Sequence, residues 1–125
     1  FVVKYNSSGT KQWTKQLGTS SGDQARGVAT DSSGNVYITG YTAGGLDGNT
    51  SSGGEDLFVV KYNSSGTKQW TRQLGSSERD LAYGVAIDSP RGRVYIAGGT
   101  DGGLDGNTSY GGGDIFLTRT WTLDF

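Results

Sequence analysis

Two glycine-rich stretches carry the residues best suited to holding a ligand. Gly44 to Asp56 reads GGLDGNTSSGGED, and Gly102 to Asp114 reads GGLDGNTSYGGGD. In each, an Asp and an Asn stand two apart with a glycine between: Asp47 and Asn49, then Asp105 and Asn107. Alternating oxygen side chains in a tight glycine loop are the donor type that wraps calcium, the one cofactor this sequence suggests. Ser51, Glu55 and Asp56 would add oxygens in the first stretch, Ser109 and Asp114 in the second. The EF-hand spacing fails, because its twelfth position falls on Phe58 where a bidentate Glu is needed. The competing reading is an Asx-turn that merely stabilises the loop, the commoner use of Asp and Asn beside Gly.

The other chemistry-bearing residues read as structural. Asp31 and Asp88 stand at hairpin corners, where a carboxylate accepts backbone N–H bonds more often than it catalyses. Asp23 and Asp80 read as loop charges. No carboxylate pair for glycoside hydrolysis can be picked out, since that separation is set by the fold. Tyr5, Tyr37, Tyr62, Tyr95 and the three Trp recur at strand positions, as core packing requires. Tyr41 and Tyr110 lie in or beside loops and are expected to be exposed, where they could stack on sugars. The chain has no Cys and no His. That removes disulfides, a thiolate nucleophile, the usual general base and a Ser-His-Asp triad from this chain alone.

These residues must be positioned by something, and composition says what. Apolar residues make up 32% of the 125, yet the 23 glycines fall at regular places between short runs of Val, Ile, Tyr and Phe. That pattern reads as many short strands joined by turns. Net charge is −1 with no basic cluster, so the electrostatic footprint of a nucleic-acid binder is missing. No apolar run approaches the roughly 18 residues of a spanning helix. The chain opens at Phe1 inside a strand pattern, as a mature product, a fragment or an ordered part of something longer would. A cysteine-free, Thr/Asn/Gly-rich composition is expected of a secreted or cell-surface protein.

Self-similarity organises the whole chain. FVVKYNSSGTKQWTKQLG at Phe1 to Gly18 returns at Phe58 to Gly75 with one change, Lys15 to Arg72. The period is 57 residues as far as Asp31 and Asp88, and 58 afterwards, because SSGN has grown to SPRGR. Each period holds four strand patterns, seen as GVAT (Gly27 to Thr30), VYITGYT (Val36 to Thr42), FVVKY (Phe58 to Tyr62) and KQWTRQL (Lys68 to Leu74). Asn, Ser and Gly at the turns supply the left-handed and side-chain-bonded conformations a tight hairpin needs. A third copy begins at Phe116 and diverges into WTLDF. The units are 1–18, a half blade; 19–75, a full repeat; and 76–125, a second repeat ending in a divergent strand.

Four antiparallel strands in a repeat of this size are expected to be a β-propeller blade, with a β-solenoid or a β-sandwich as alternatives. The fold class is all-β, with about two blades in the chain. The strings GVATDSSGNVYITGYT, GGLDGN and DLFVVKYNSSGTKQWTRQLG resemble the bacterial SBBP repeat over essentially the whole chain except Trp121 to Phe125. The resemblance implies a propeller blade of a large secreted or surface-attached protein. It implies no enzymatic activity, because the family has no common catalytic residue to carry over.

Propellers usually need four to eight blades, so two must find partners. The expected partner is the chain itself, as a strand-completing ring or filament, or the rest of a longer repeat protein. The expected function is therefore a non-catalytic, self-assembling structural module. The alternatives are a multivalent, lectin-like propeller binding glycans, and an enzyme with a site in the central funnel.

Overall fold

The computed structural model describes residues 1–121, and it is built of β-strands with short turns of 3-10 helix between them. The strands are β1 (Val2–Tyr5), β2 (Lys11–Lys15), β3 (Asp23–Thr30), β4 (Val36–Thr42), β5 (Asp56–Tyr62), β6 (Lys68–Leu74), β7 (Asp80–Asp88), β8 (Arg93–Thr100) and β9 (Asp114–Trp121). They form three antiparallel sheets in sequence order: β1-β2, β3-β4-β5-β6 and β7-β8-β9. The second and fourth strands of the repeat fall where the sequence pattern places them. The first strand is longer than GVAT and begins at Asp23, and the third begins at Asp56. The divergent end expected after Trp121 lies outside the described residues.

Every residue of β4 and β5 is buried. A strand turns alternate side chains to opposite faces, so both faces of this central sheet must be covered. Val36, Ile38, Phe58, Val60 and Tyr62 pack on one face against Val2, Trp13 and Leu17 of the preceding unit. Tyr37, Leu57 and Val59 pack on the other against Ala82, Val94 and Ile96 of the following sheet. Sheets stacked face to face along the chain, each a four-stranded meander or part of one, are propeller blades. The same argument accounts for the nearly unbroken apolar runs VYI and LFVV, where a half-solvated strand would alternate.

The first strands of neighbouring blades lie close together. β7 packs against β3 and β4, and a Cβ at Gly27 would sit 3.2 Å from the Tyr83 carbonyl oxygen. Each of these inner strands carries a β-bulge at the same place. The register slips between Ala25 and Gly27 and between Ala82 and Gly84, leaving Arg26 and Tyr83 as the extra residues. Gly40 and Gly98 stand opposite. A Cβ there would meet the Gln24 and Leu81 carbonyl oxygens at 1.8 and 1.9 Å, so only glycine fits.

Candidate functional site

In the first glycine-rich stretch, Gly45 enters a 3-10 turn at Leu46–Gly48, with Leu46 buried beneath it. Asp47 is held in the left-handed region at φ 54°, which Asp tolerates better than most side chains. Its carboxylate points across to β6. Lys68 Nζ lies 2.6 Å from Oδ1, and Thr71 Oγ1 donates to Oδ2 at 2.7 Å. The Lys68 and Thr71 bonds hold the Asp47 carboxyl below its ordinary pKa against a smaller opposing effect of burial. Asn49 turns the other way, its Nδ2 donating to the Leu46 carbonyl at 2.7 Å. The two candidate side chains therefore serve different partners.

The remaining candidates of that loop are also engaged. Ser51 Oγ lies 3.5 Å from the Gly53 carbonyl, and Glu55 pairs with Arg79 at 2.9 Å. Asp56 Oδ2 accepts from Ser52 N at 2.7 Å and from Gln73 Nε2 at 2.8 Å. Gln73 is the hub of the loop's docking. Its Oε1 accepts from Leu46 N at 2.9 Å, and its Nε2 also donates to the Gly44 carbonyl at 2.9 Å. Fourth-strand residues Lys68, Thr71 and Gln73 thus clamp the long connection onto the rim of their own blade.

The second stretch has the same fold without the clamp. Asp105 sits at φ 52°, Asn107 Nδ2 donates to the Leu104 carbonyl at 2.9 Å, Ser109 Oγ accepts from Gly111 N at 3.3 Å, and Asp114 Oδ2 accepts from Tyr110 N at 2.9 Å. Its blade ends at β9, with no fourth strand among the described residues. An open groove of about 680 Å³ runs where that strand would lie, lined by Leu74, Leu104, Asp105, Tyr110, Asp114 and Phe116 among others. The outward face of β9 is bare too. Ile115 is 95% and Leu117 72% exposed, where the equivalent Leu57 and Val59 are each 2%. Among the described residues, no cluster of three or more His, Cys, Asp or Glu is placed to hold a metal ion.

Asp31 accepts from the backbone N–H groups of Ser33 and Asn35, from Asn35 Nδ2 and from the Tyr37 hydroxyl, at 2.8 to 3.0 Å. Burial pushes its pKa up, but these hydrogen bonds outweigh it and the net shift is downward. Asp88, in the longer second turn, instead pairs with Arg91 at 3.2 Å. Asp23 and Asp80 are not loop charges. They open β3 and β7 and accept hydrogen bonds from Thr42 and Thr100 at the far ends of β4 and β8. Sequence reasoning passed over them, although an Asp followed by a Thr about 20 residues later in both copies was a readable signal.

Tyr110 is 87% exposed, but Tyr41 is buried at 8%. Its hydroxyl donates to Gln24 Oε1 at 2.8 Å and accepts from Arg26 Nη2 at 2.7 Å, and the Arg26 guanidinium lies 5.4 Å from its ring centre. Tyr41 is the penultimate residue of β4 and not part of the loop, so the blade covers it.

The family model of the SBBP β-propeller repeat matches residues 12–47 and 69–105, more than half of the chain. An uncharacterized WD repeat-containing protein of Acanthamoeba polyphaga mimivirus is 31% identical over 115 residues, covering 78% of this chain and 8% of that protein. Regulatory protein FlaEY of Caulobacter vibrioides is 30% identical over 128 residues, covering 94% of this chain and 13% of its own length. The chain thus spans a small part of each of these relatives.

Proposed function

This chain belongs to the SBBP β-propeller repeat family, and from that premise we propose that it is a non-catalytic structural module that works by associating through its open blade edges. The observation that carries this reading is β9: a strand of eight residues with no strand on its outer edge among the described residues and two large apolar side chains bare. An uncovered edge of that length is a template for strand addition. The absence of an enzyme role is supported by the carboxylates. Asp23, Asp31, Asp47 and Asp80 are spent on turns, clamps and strand ends, and the sequence has no His or Cys to act beside them. The expected associate is a second copy of the chain. Light scattering tests this: the expected mass is a discrete or open-ended multiple of 13.1 kDa. A folded, monodisperse monomer at high concentration overturns it.

A second reading, glycan binding, is favoured by one feature. Tyr110 is exposed beside the groove that Asp105 and Asn107 line, a polar and aromatic combination suited to sugars. Binding to a glycan panel supports it, and no binding at millimolar sugar overturns it.

A further inference from the structure

The two copies of the repeat differ unevenly. The hairpin of third and fourth strands, Phe1 to Gly18 and Phe58 to Gly75, changes at one position. The halves that hold the first two strands change most at one end of the sheet. Gly22 becomes Arg79, Gln24 becomes Leu81, Arg26 becomes Tyr83, Tyr41 becomes Gly99 and Glu55 becomes Gly113. This is the end where Asp23 stands opposite Thr42 and Asp80 opposite Thr100.

Three of these residues make one unit in the second blade. The Arg26 Nη2 donates to Gln24 Oε1 and to the Tyr41 hydroxyl, each at 2.7 Å, and the Tyr41 hydroxyl donates to Gln24 Oε1 at 2.8 Å. The guanidinium is thereby fixed over the Tyr41 ring by neutral groups. Its Nε and Nη1 carry three further N–H donors. Among the described residues no carboxylate pairs with Arg26, whereas Arg79 has Glu55 at 2.9 Å. In the third blade Leu81, Tyr83 and Gly99 replace the whole unit at once.

Arg26 and Tyr83 are the extra residues of the two matching β-bulges, and a bulge re-aims a side chain. They stand side by side on neighbouring inner strands. A Cβ at Gly27 would lie 3.2 Å from the Tyr83 carbonyl oxygen, and the Tyr83 hydroxyl is within electrostatic reach of both the Arg26 and Arg79 guanidiniums. The strands behind them are within the chain: β3 pairs with β4, β7 pairs with β8, and β7 packs on β3 and β4. The innermost strands of a propeller surround its central channel, which stays open when the ring is closed. In that place the pair offers a fixed cation and, next to it, an aromatic ring flanked by Gly84, whose Cβ would meet nothing within 4 Å.

We propose that Arg26 and Tyr83 form a ligand site beside the central channel, with the Arg26 guanidinium taking the carboxylate of an acidic saccharide and Tyr83 taking the sugar ring. A preorganised guanidinium suits a carboxylate, and an aromatic face suits the C–H face of a sugar. The site is separate from the groove beside Tyr110 and does not rest on the association reading. Because the bulge residue changes between otherwise similar copies, each blade contributes its own group to the channel.

The test is a titration of the full chain with glucuronic acid, followed by backbone amide shifts. Glucose is the neutral twin and acetate the bare carboxylate. Glucuronic acid should shift the amides of residues 24–27 and 82–84 saturably, and glucose and acetate should each bind on the order of tenfold more weakly, lacking one of the two contacts. Arg26→Gln should weaken glucuronic acid about tenfold, as loss of a charged hydrogen-bond donor does. Tyr83→Ala should weaken it about fivefold, the worth of one ring contact. Both are exposed positions, and unchanged amide shifts outside the two bulges show that the fold is kept. Tyr110→Ala should leave binding unchanged. No shift with tens of millimolar glucuronic acid overturns the site, and acetate binding as tightly as glucuronic acid overturns the saccharide as its ligand. Shifts confined to the Tyr110 loop and lost in Tyr110→Ala overturn this inference and support the groove instead. Light scattering decides the association reading separately, whichever way the titration falls.

Discussion

Thr100 Oγ1 donates a hydrogen bond to Asp80 Oδ1 across the end of the β7-β8 pair, with Asp80 fully buried. Thr42 makes the same bond to Asp23 one repeat earlier. The other oxygen of Asp80 accepts from Ser76 N and Ser76 Oγ, so one carboxylate ties the connection from the previous blade to the first two strands of the next. Asp80→Ala strands the buried Thr100 hydroxyl and the part-buried Ser76 N–H and hydroxyl, a buried donor costing about 1–3 kcal/mol and the others less. The expected loss is about 3 kcal/mol in urea unfolding. Asp80→Asn, which keeps one acceptor oxygen, should lose less.

Gly40 faces the bulge at Arg26 with no room for a methyl group, and the obstacle is backbone. Gly40→Ala should destabilise by about 3 kcal/mol, the upper end of overpacking costs. Gly84→Ala is the control. Nothing lies within 4 Å of its Cβ, so it should be neutral or stabilising by up to about 0.5–1 kcal/mol. The shift of the urea midpoint in the two variants checks both.

Trp13 anchors the first unit to the second blade. Its Nε1 donates to the Ser64 carbonyl at 3.1 Å, and its ring centre lies 6.3 Å from that of Tyr62. Trp13→Phe should cost about 1 kcal/mol for the lost hydrogen bond. Trp13→Ala should cost about 2–3 kcal/mol, below the range for a fully buried Trp because the side chain is half-exposed. Limited proteolysis should then cut within residues 5–18 before the rest of the chain.

Asp31 and Asp47 both have carboxyls held below the ordinary value. A depressed folded-state pKa stabilises the fold above the unfolded value of about 3.9 and loses that contribution as pH falls through the folded value. Stability should therefore decline on acidification below about pH 4. Asp47→Asn should be destabilised at pH 6 and converge on the parent as pH falls through the folded-state value, as urea midpoints along an acid series will show.

The repeat made most of the fold legible. The second and fourth strands stand where VYITGYT and KQWTRQL place them, because their apolar runs are bounded by turn residues on both sides. The first strand was read short. Its leading half, Asp23 to Arg26, is polar and bulged, and pairing with β4 holds it in the sheet where propensity does not. Asp47 and Asn49 were legible as a tight turn, but their divergence was not. Lys68 and Thr71 lie more than 20 residues on, and only the sheet brings them to Asp47. Tyr41 looked exposed because glycines follow it, yet the end of β4 is covered by Arg26 from the bulged strand.

Hydrogen–deuterium exchange along β9 tests the central claim most directly. The amides of β4 and β5 should be protected at every protein concentration, because both neighbours are in the same chain. Those of residues 115–121 should become protected as concentration rises, together with the appearance of the larger species. Exchange in β9 that stays fast and independent of concentration would contradict the account, and with it the assignment of this edge as the functional surface.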